Sequence, residues 1–448
     1  MNPSRRAIAC CLLIATVASG CQYLQMVRQR RSLRSEFASD PRLALKRTLA
    51  PEDSFRLTGR LAGAERYDGA LLVVAVGHRF KTNEVVAWRA VFRSLDLYDI
   101  LLPKGDFDLL VLDDHDGDNV FESDGLVGQT DLAAPTHVDR QSTRDGFTVE
   151  GPTIRVDTRR PTVAGVPISI SVTRTHNVLP SLSDDFFSRQ WGQRGLFHPT
   201  ELLVHTQGHF FGLEEPDPQK TQIVFVHGAG GVPAEFATLV DGLDRKRFQP
   251  WFYFYPSGLP LSQSAATMAD VLEVAVRDLG LHRVVIVAHS MGGLVSDAAL
   301  ATLSRNGLPD WLALFVTIAT PYDGHPAARL GVERAPEVVP SWRDMVPGSP
   351  FLRDVHATPL PAELPFILLF AYDNGGSRVR VTPSGDGTVP LSSQLAVPVM
   401  LRARQSFGID ANHTAVLTDP TTVNILQRLL EQYAVPRRTR FPRFLGGP

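Results

Sequence analysis

The sequence predicts a two-part fold: a small all-β sandwich, then an α/β domain on a mostly parallel, doubly wound sheet. Three observations lead there. Between Phe55 and about Val172, short apolar runs are separated by turn residues, as in antiparallel strands of a sandwich. After Lys220, β-branched runs alternate with stretches of helical apolar spacing, the pattern of parallel strands joined by crossover helices. A chain of 448 residues, 44% hydrophobic and 21% charged, has the length and composition for more than one packed core. The formal net charge of −2 argues against a nucleic-acid binder.

The N-terminus reads as a targeting segment. Arg5 and Arg6 precede an apolar stretch, Ala7 to Val17, too short to span a bilayer as a helix. It ends in Ala18-Ser19-Gly20-Cys21, which resembles the lipobox of bacterial lipoproteins. That resemblance implies removal of residues 1–20 as a signal peptide and lipidation of Cys21. Ordinary secretory cleavage, giving a secreted or periplasmic protein, is the alternative. Cys10, Cys11 and Cys21 are the whole cysteine complement, so cleavage leaves one thiol and no disulfide. Gln22 follows the cysteine where an aspartate would mark inner-membrane retention, so the resemblance favours the outer membrane in a Gram-negative host. Residues 21–50 are expected to be a tether, with Arg28, Arg30, Arg31 and Arg34 either solvated or against anionic head groups.

The sandwich is placed at 51–173. Its strands are expected at Ala70–Val76, Val85–Phe92, Tyr98–Leu102 and Phe107–Leu112, with a last strand or two between Pro161 and Val172. The acidic loop Asp113–Glu122 follows the fourth of these. Asp114, Asp116 and Asp118 alternate as calcium ligands can, but Asn119 and Gly125 stand where an EF-hand has its glycine and its bidentate glutamate. A turn whose carboxylates bond their own backbone is the other reading. The loop resembles those of accessory transthyretin-like or carboxypeptidase-regulatory-type sandwich domains. Residues 174–220 read as a connector, closed by the rigid break Glu215-Pro216-Asp217-Pro218.

The α/β domain is placed at 221–435, followed by a basic tail at 436–448. Its strands are expected at Gln222–Val226, Trp251–Tyr255, Arg283–Val287, Leu312–Ile318, Pro365–Ala371 and Val399–Ala403. Its helices are expected at Pro233–Leu243, Ser264–Gly280, Gly293–Leu300 and Pro420–Tyr433. Functional groups of such sheets collect beyond the carboxyl ends of the strands.

Four motifs fall there. Ala288-His289-Ser290-Met291-Gly292 sits at a strand-to-helix junction, with the small flanking residues that a sharp nucleophile elbow requires, although glycine is commoner than Ala288. His227-Gly228-Ala229-Gly230-Gly231 follows the domain's first strand. A nucleophilic serine needs two backbone donors for a developing oxyanion, and Met291 and Ala229 are placed to give them. Asp386, in Ser384-Gly385-Asp386-Gly387-Thr388-Val389-Pro390, is the candidate orienting carboxylate, with Asp373 as competitor. His413, in Ala411-Asn412-His413-Thr414, is the candidate general base.

Together these motifs, with Thr320-Pro321-Tyr322-Asp323-Gly324, resemble bacterial lipases and esterases of the α/β-hydrolase fold over about 221–433. The resemblance implies an acyl-ester substrate, a catalytic triad of Ser290, Asp386 and His413, and no required cofactor. Acyl transfer or amide or thioester cleavage uses the same groups, and a surface-anchored binding protein on an inactive hydrolase fold is the reading from another class. Residues 323–364, rich in proline and apolar residues, are either a lid over an acyl pocket or a loop packed on the core.

Overall fold

The computed structural model describes residues 23–28, 54–67, 71–77, 84–91, 97–144, 146–157, 167–171, 178–179, 181–199, 202, 209–373 and 384–434. The expected signal peptide, Cys21, most of the tether and the tail at 436–448 lie outside them. No helix of the described residues is long and apolar enough to cross a membrane.

The N-terminal region is strand-rich. One sheet holds β1 (Ser54–Ala62) and β4 (Leu97–Pro103), with β9 (Thr148–Glu150) and β10 (Ile154–Arg155) added to β1. A second holds β3 (Glu84–Val91), β2 (Leu71–Gly77), β5 (Gly105–Asp113) and β7 (Leu126–Gln129), with β8 (Thr136–Val138) on β5. Leu57, Ile100 and Leu102 from the first sheet share an apolar core with Val73, Leu109 and Val111 from the second. The opposite face of β2 and β5, with Leu72, Val74, Leu110 and Leu112, is covered by Phe121 and Ile168. These belong to the pair β6 (Val120–Glu122) and β11 (Ser169–Ser171) or lie beside it. Burial on both faces explains why β2 reads as an unbroken apolar run rather than an alternating one. The expected antiparallel pairing needs one correction: β9 and β10 both run parallel to β1.

The C-terminal region is an α/β domain built on one seven-stranded sheet. Its sheet runs β12 (Phe210–Gly212), β14 (Phe248–Tyr253), β13 (Thr221–Val226), β15 (Val284–His289), β16 (Leu312–Ile318), β17 (Phe366–Tyr372), β18 (Gln405–Asp410). All pairs are parallel except β12 with β14. Residues alternate along the strands between two cores. Val224 and Val226 pack with Met268 and Leu272 of α4 (Leu261–Asp278) and Leu294 of α5 (Met291–Leu303). Ile223 and Phe225 pack with Leu239 of α3 (Ala237–Asp241) and with Ile425 and Leu426 of α11 (Pro420–Leu429). Each fully buried aliphatic of this kind stabilises the fold by roughly 1.5–3 kcal/mol.

Three sequence expectations need correction. The run at 399–403 is not a strand but part of a helix, α10 (Val397–Arg402), with Pro398 in its first turn. Only Val399 of that helix is buried, while Val397, Met400 and Leu401 are exposed. The last strand is instead β18, a polar edge strand with only Ile409 buried. Within the expected connector, residues 181–199 are packed: α2 (Arg189–Phe197) follows Phe186 and Phe187, which bury against Phe211 and Phe254. Within the expected tether, residues 23–28 form a short helix, α1, and Met26 and Val27 are buried against Phe197 and Val339.

The two regions meet through charge. Arg56 of β1 lies between Asp99 of β4, at 2.9 Å, and Asp270 of α4, at 2.6 Å. Arg144 also reaches Asp270, at 2.6 Å. Arg56 is buried, so both carboxylates are needed to hold its charge away from water.

Candidate active site

Ser290 stands between the end of β15 and the start of α5, with φ 54° and ψ −130°. Such a backbone costs of order 1–3 kcal/mol in an L-residue and persists because its surroundings fix it. Its N–H donates to Ile318 O, at 2.8 Å, and its carbonyl accepts from Gly293 N–H, at 2.9 Å. The turn leaves no room for neighbouring side chains. A Cβ at Gly292 would lie 2.4 Å from His227 O, and one at Gly228 would lie 2.8 Å from Ser290 Cβ. Those contacts explain the glycines.

His413 follows β18 and meets the serine from the other side. Its Nε2 lies 2.9 Å from Ser290 Oγ, and its Nδ1 lies 2.6 Å from Asp386 Oδ2. Asp386 is 1% exposed, in the loop after β17. Its Oδ1 accepts from Thr388 N–H, at 2.9 Å, and Val389 N–H, at 2.7 Å, and its Oδ2 also accepts from Gln394 Nε2, at 3.1 Å. With both oxygens held, the carboxylate has one orientation to offer the imidazole. Asp373, the competitor, ends beside β17, where its N–H donates to Gly385 O, at 2.9 Å. The carboxylate against the His413 ring is that of Asp386.

The loop after β13 completes the centre. Gly231 N–H donates to Gly228 O, and Gly230 N–H donates to Ser257 Oγ, at 2.8 Å. Ala229 and Met291 both line the cavity over Ser290. Met291 opens α5, so its N–H has no acceptor within the helix. Both residues thus border the space directly over Ser290.

Residues that the sequence did not single out support the loops. Gln394, in α9 (Leu391–Gln394), bonds Ala371 through both ends of its amide and ties β17 to Asp386. His325 donates from Nε2 to Thr388 O, at 2.7 Å, and accepts at Nδ1 from Ala327 N–H, so it joins α6 (Pro326–Arg334) to the Asp386 loop. Burial lowers its pKa. His289 donates from Nε2 to His413 O, at 2.9 Å. Burial first, and the neighbouring His413 second, hold the His289 pKa down to about 3. His227 donates from Nδ1 to Gly228 O and accepts at Nε2 from Tyr255 N–H, and burial lowers its pKa to about 4. These rings are neutral structural parts.

A cavity of about 300 Å³ opens on Ser290, at the lower end of ligand-sized sites. Its walls include Pro321, Ala328, Gly331, Trp342 and Met345, which places the 323–364 insertion at the pocket. The insertion folds as α6, α7 (Pro340–Asp344) and α8 (Pro350–Ala357). Asp344 Oδ2 accepts from Leu261 N–H at the start of α4, at 2.6 Å, and Ser341 N–H donates to Gly258 O, at 3.3 Å. Glu235 also lines the cavity, and burial raises its carboxyl pKa.

The acidic loop of the strand-rich N-terminal region has different geometry. One oxygen from each of Asp114, Asp116 and Asp118 lies within 4.8 Å of the others. Yet Asp114 accepts from Gly117 and Asn119 N–H, Asp116 from Asp118 N–H, and Asp118 from Val120 N–H. This is the hydrogen bonding of a turn, and it gives the calcium expectation no support.

Residues 221–354 match a family model described as the alpha/beta hydrolase fold. Among solved structures, a Bacillus licheniformis lipase, BlEst2 in mature form, is 20% identical, with TM-score 0.41 over 50% of this chain and 98% of its own. A putative aryl esterase from Burkholderia cenocepacia is 18% identical, with TM-score 0.33 over 50% of this chain and 94% of its own. The Pyrococcus furiosus esterase Pf2001 is 12% identical, with TM-score 0.36 over 50% of this chain and 84% of its own. Comparison with curated proteins gives no match.

Proposed function

We propose that the protein is a serine hydrolase that cleaves carboxylic esters through an acyl-enzyme. The observation that carries this reading is the hydrogen-bonded series Ser290 Oγ, His413, Asp386 at the mouth of an apolar-walled cavity. Ser290 Oγ attacks the ester carbonyl as His413 Nε2 takes its proton. Asp386 holds the imidazole in the tautomer with the proton on Nδ1 and stabilises the imidazolium that forms. The N–H groups of Ala229 and Met291 receive the oxyanion, each worth about 3 kcal/mol in the transition state. His413 then protonates the departing alcohol, and water repeats the sequence to release the acid.

Labelling with a fluorophosphonate probe tests the reading. The chain is expected to label, and Ser290→Ala to abolish the label. A native chain that stays unlabelled beside a reactive control esterase would overturn it.

We also propose that the enzyme works at the cell envelope, anchored through lipidated Cys21. The support is the segment Ala18-Ser19-Gly20-Cys21 and the confinement of all cysteines to residues 10–21. Metabolic labelling with an alkynyl palmitate is expected to mark the protein, and Cys21→Ala to lose the mark. Equal labelling of both would refute the assignment.

A further inference from the structure

We infer that residues 23–28 brace the acyl-pocket wall from behind, acting through Tyr23 on Trp342 to determine which acyl chains fit. The inference rests on the hydrolase reading above. Trp342 is a wall residue of the cavity over Ser290. It packs closely on Gly331, another wall residue, where an added Cβ would lie 2.9 Å from the indole Cε3. The Tyr23 ring stacks with the same indole, centroid to centroid at 6.2 Å with planes 28° apart, and meets Phe197 of α2 edge-on at 5.7 Å.

The Tyr23 hydroxyl fixes the position further. It donates to Glu337 O, at 3.1 Å, and accepts from Glu337 N–H, at 3.3 Å, in the loop joining α6 to α7. Behind it Met26, 1% exposed, and Val27, 7% exposed, seat the segment between Phe197 and Val339. Residues 23–28 therefore clasp α7 and the loop that leads into it, and they do so from the far end of the chain. A tryptophan held on two sides keeps a narrow pocket. With the Tyr23 ring removed, Trp342 gains freedom to swing outward and the pocket admits longer chains.

The experiment uses the full chain and a series of p-nitrophenyl esters from acetate to octanoate. Tyr23→Ala is expected to raise the octanoate-to-acetate ratio of kcat/KM at least threefold, mainly through a lower KM for octanoate. Tyr23→Phe keeps the stacking ring and is expected to retain the wild-type ratio. A Tyr23→Ala ratio within 1.5-fold of wild type overturns the inference, as does an equal change in Tyr23→Phe. If the wild-type chain neither cleaves esters nor takes the fluorophosphonate label, the hydrolase reading fails by itself. Hydrogen exchange over residues 326–345 then decides the clasp. Faster exchange in Tyr23→Ala supports it, and unchanged exchange overturns it.

Discussion

In the loop Ser384–Pro390, the Asp386 carboxylate takes hydrogens from its own turn, from Gln394 and from His413. In the loop Asp113–Glu122, the carboxylates of Asp114, Asp116 and Asp118 take hydrogens from backbone N–H groups within five residues of themselves. Both loops are rich in Asp and Gly. The difference is the distance along the chain to the partner. A carboxylate bonded across elements transmits orientation to another side chain, whereas one bonded within its turn only shapes that turn. Composition identifies both loops as interesting, and only the partners separate them.

The largest effect that sharpens this contrast is expected at Asp386. Asp386→Asn should keep the fold and lower kcat for a short-chain ester by about 10⁴, because the imidazole loses its tautomer control. A loss under tenfold would mean that the bond to His413 does not orient the base.

Arg56 extends the contrast to stability, since Asp99 and Asp270 are also bonded across elements. Arg56→Met leaves two carboxylates facing each other with reduced compensation and should cost about 3 kcal/mol in urea unfolding. A cost below about 1 kcal/mol would show that cross-element pairing at this junction is dispensable.

Imidazoles obey the same rule. In His227 and His289 the folded pKa lies below the ordinary 6.5, at about 4 and about 3. The unfolded chain therefore binds these protons more tightly, and folding stability is full above about pH 6.5 and falls as pH drops from there toward 4. Melting temperature should be flat between pH 7 and 8 and decline below 6.5. His227→Gln, which retains a donor and an acceptor without a titrating ring, should flatten part of that decline. An identical slope in the variant would remove His227 from the account.

The smallest effect is expected in the acidic loop. Asp116→Asn or Asp118→Asn should change stability by less than about 1 kcal/mol, as for an exposed turn. Chelator should leave the melting temperature where it was. A clear drop on chelation, restored by calcium, would break the comparison.

The Ser290–His413–Asp386 arrangement was largely legible in sequence because it demands unusual local geometry. The elbow needs glycine where a Cβ would strike His227 O, and the donor loop needs glycine where the backbone touches Ser290. The supports of that centre were not legible. Gln394 and His325 act as single side chains, and nothing in their neighbours' spacing distinguishes them from ordinary polar residues. The helix at Val397–Arg402 reads as a strand in sequence because its apolar residues resemble a buried run, yet most are exposed, while the edge strand β18 is polar. The segment at 23–28 did carry a signal. Tyr23, Met26 and Val27 stand at i, i+3 and i+4, the spacing of one helical face, hidden inside a stretch dominated by arginine.

The contact between Tyr23 and Trp342 also bears on how the protein should be produced. A recombinant form trimmed to begin at the β domain, near Ser54, would retain Ser290, Asp386, His413, Ala229 and Met291. It would lack residues 23–28, and with them the cover over the indole. On the clasp reading, the acyl preference of such a shortened form would describe the truncation, and only material carrying residues 23–28 would report the preference of the full chain.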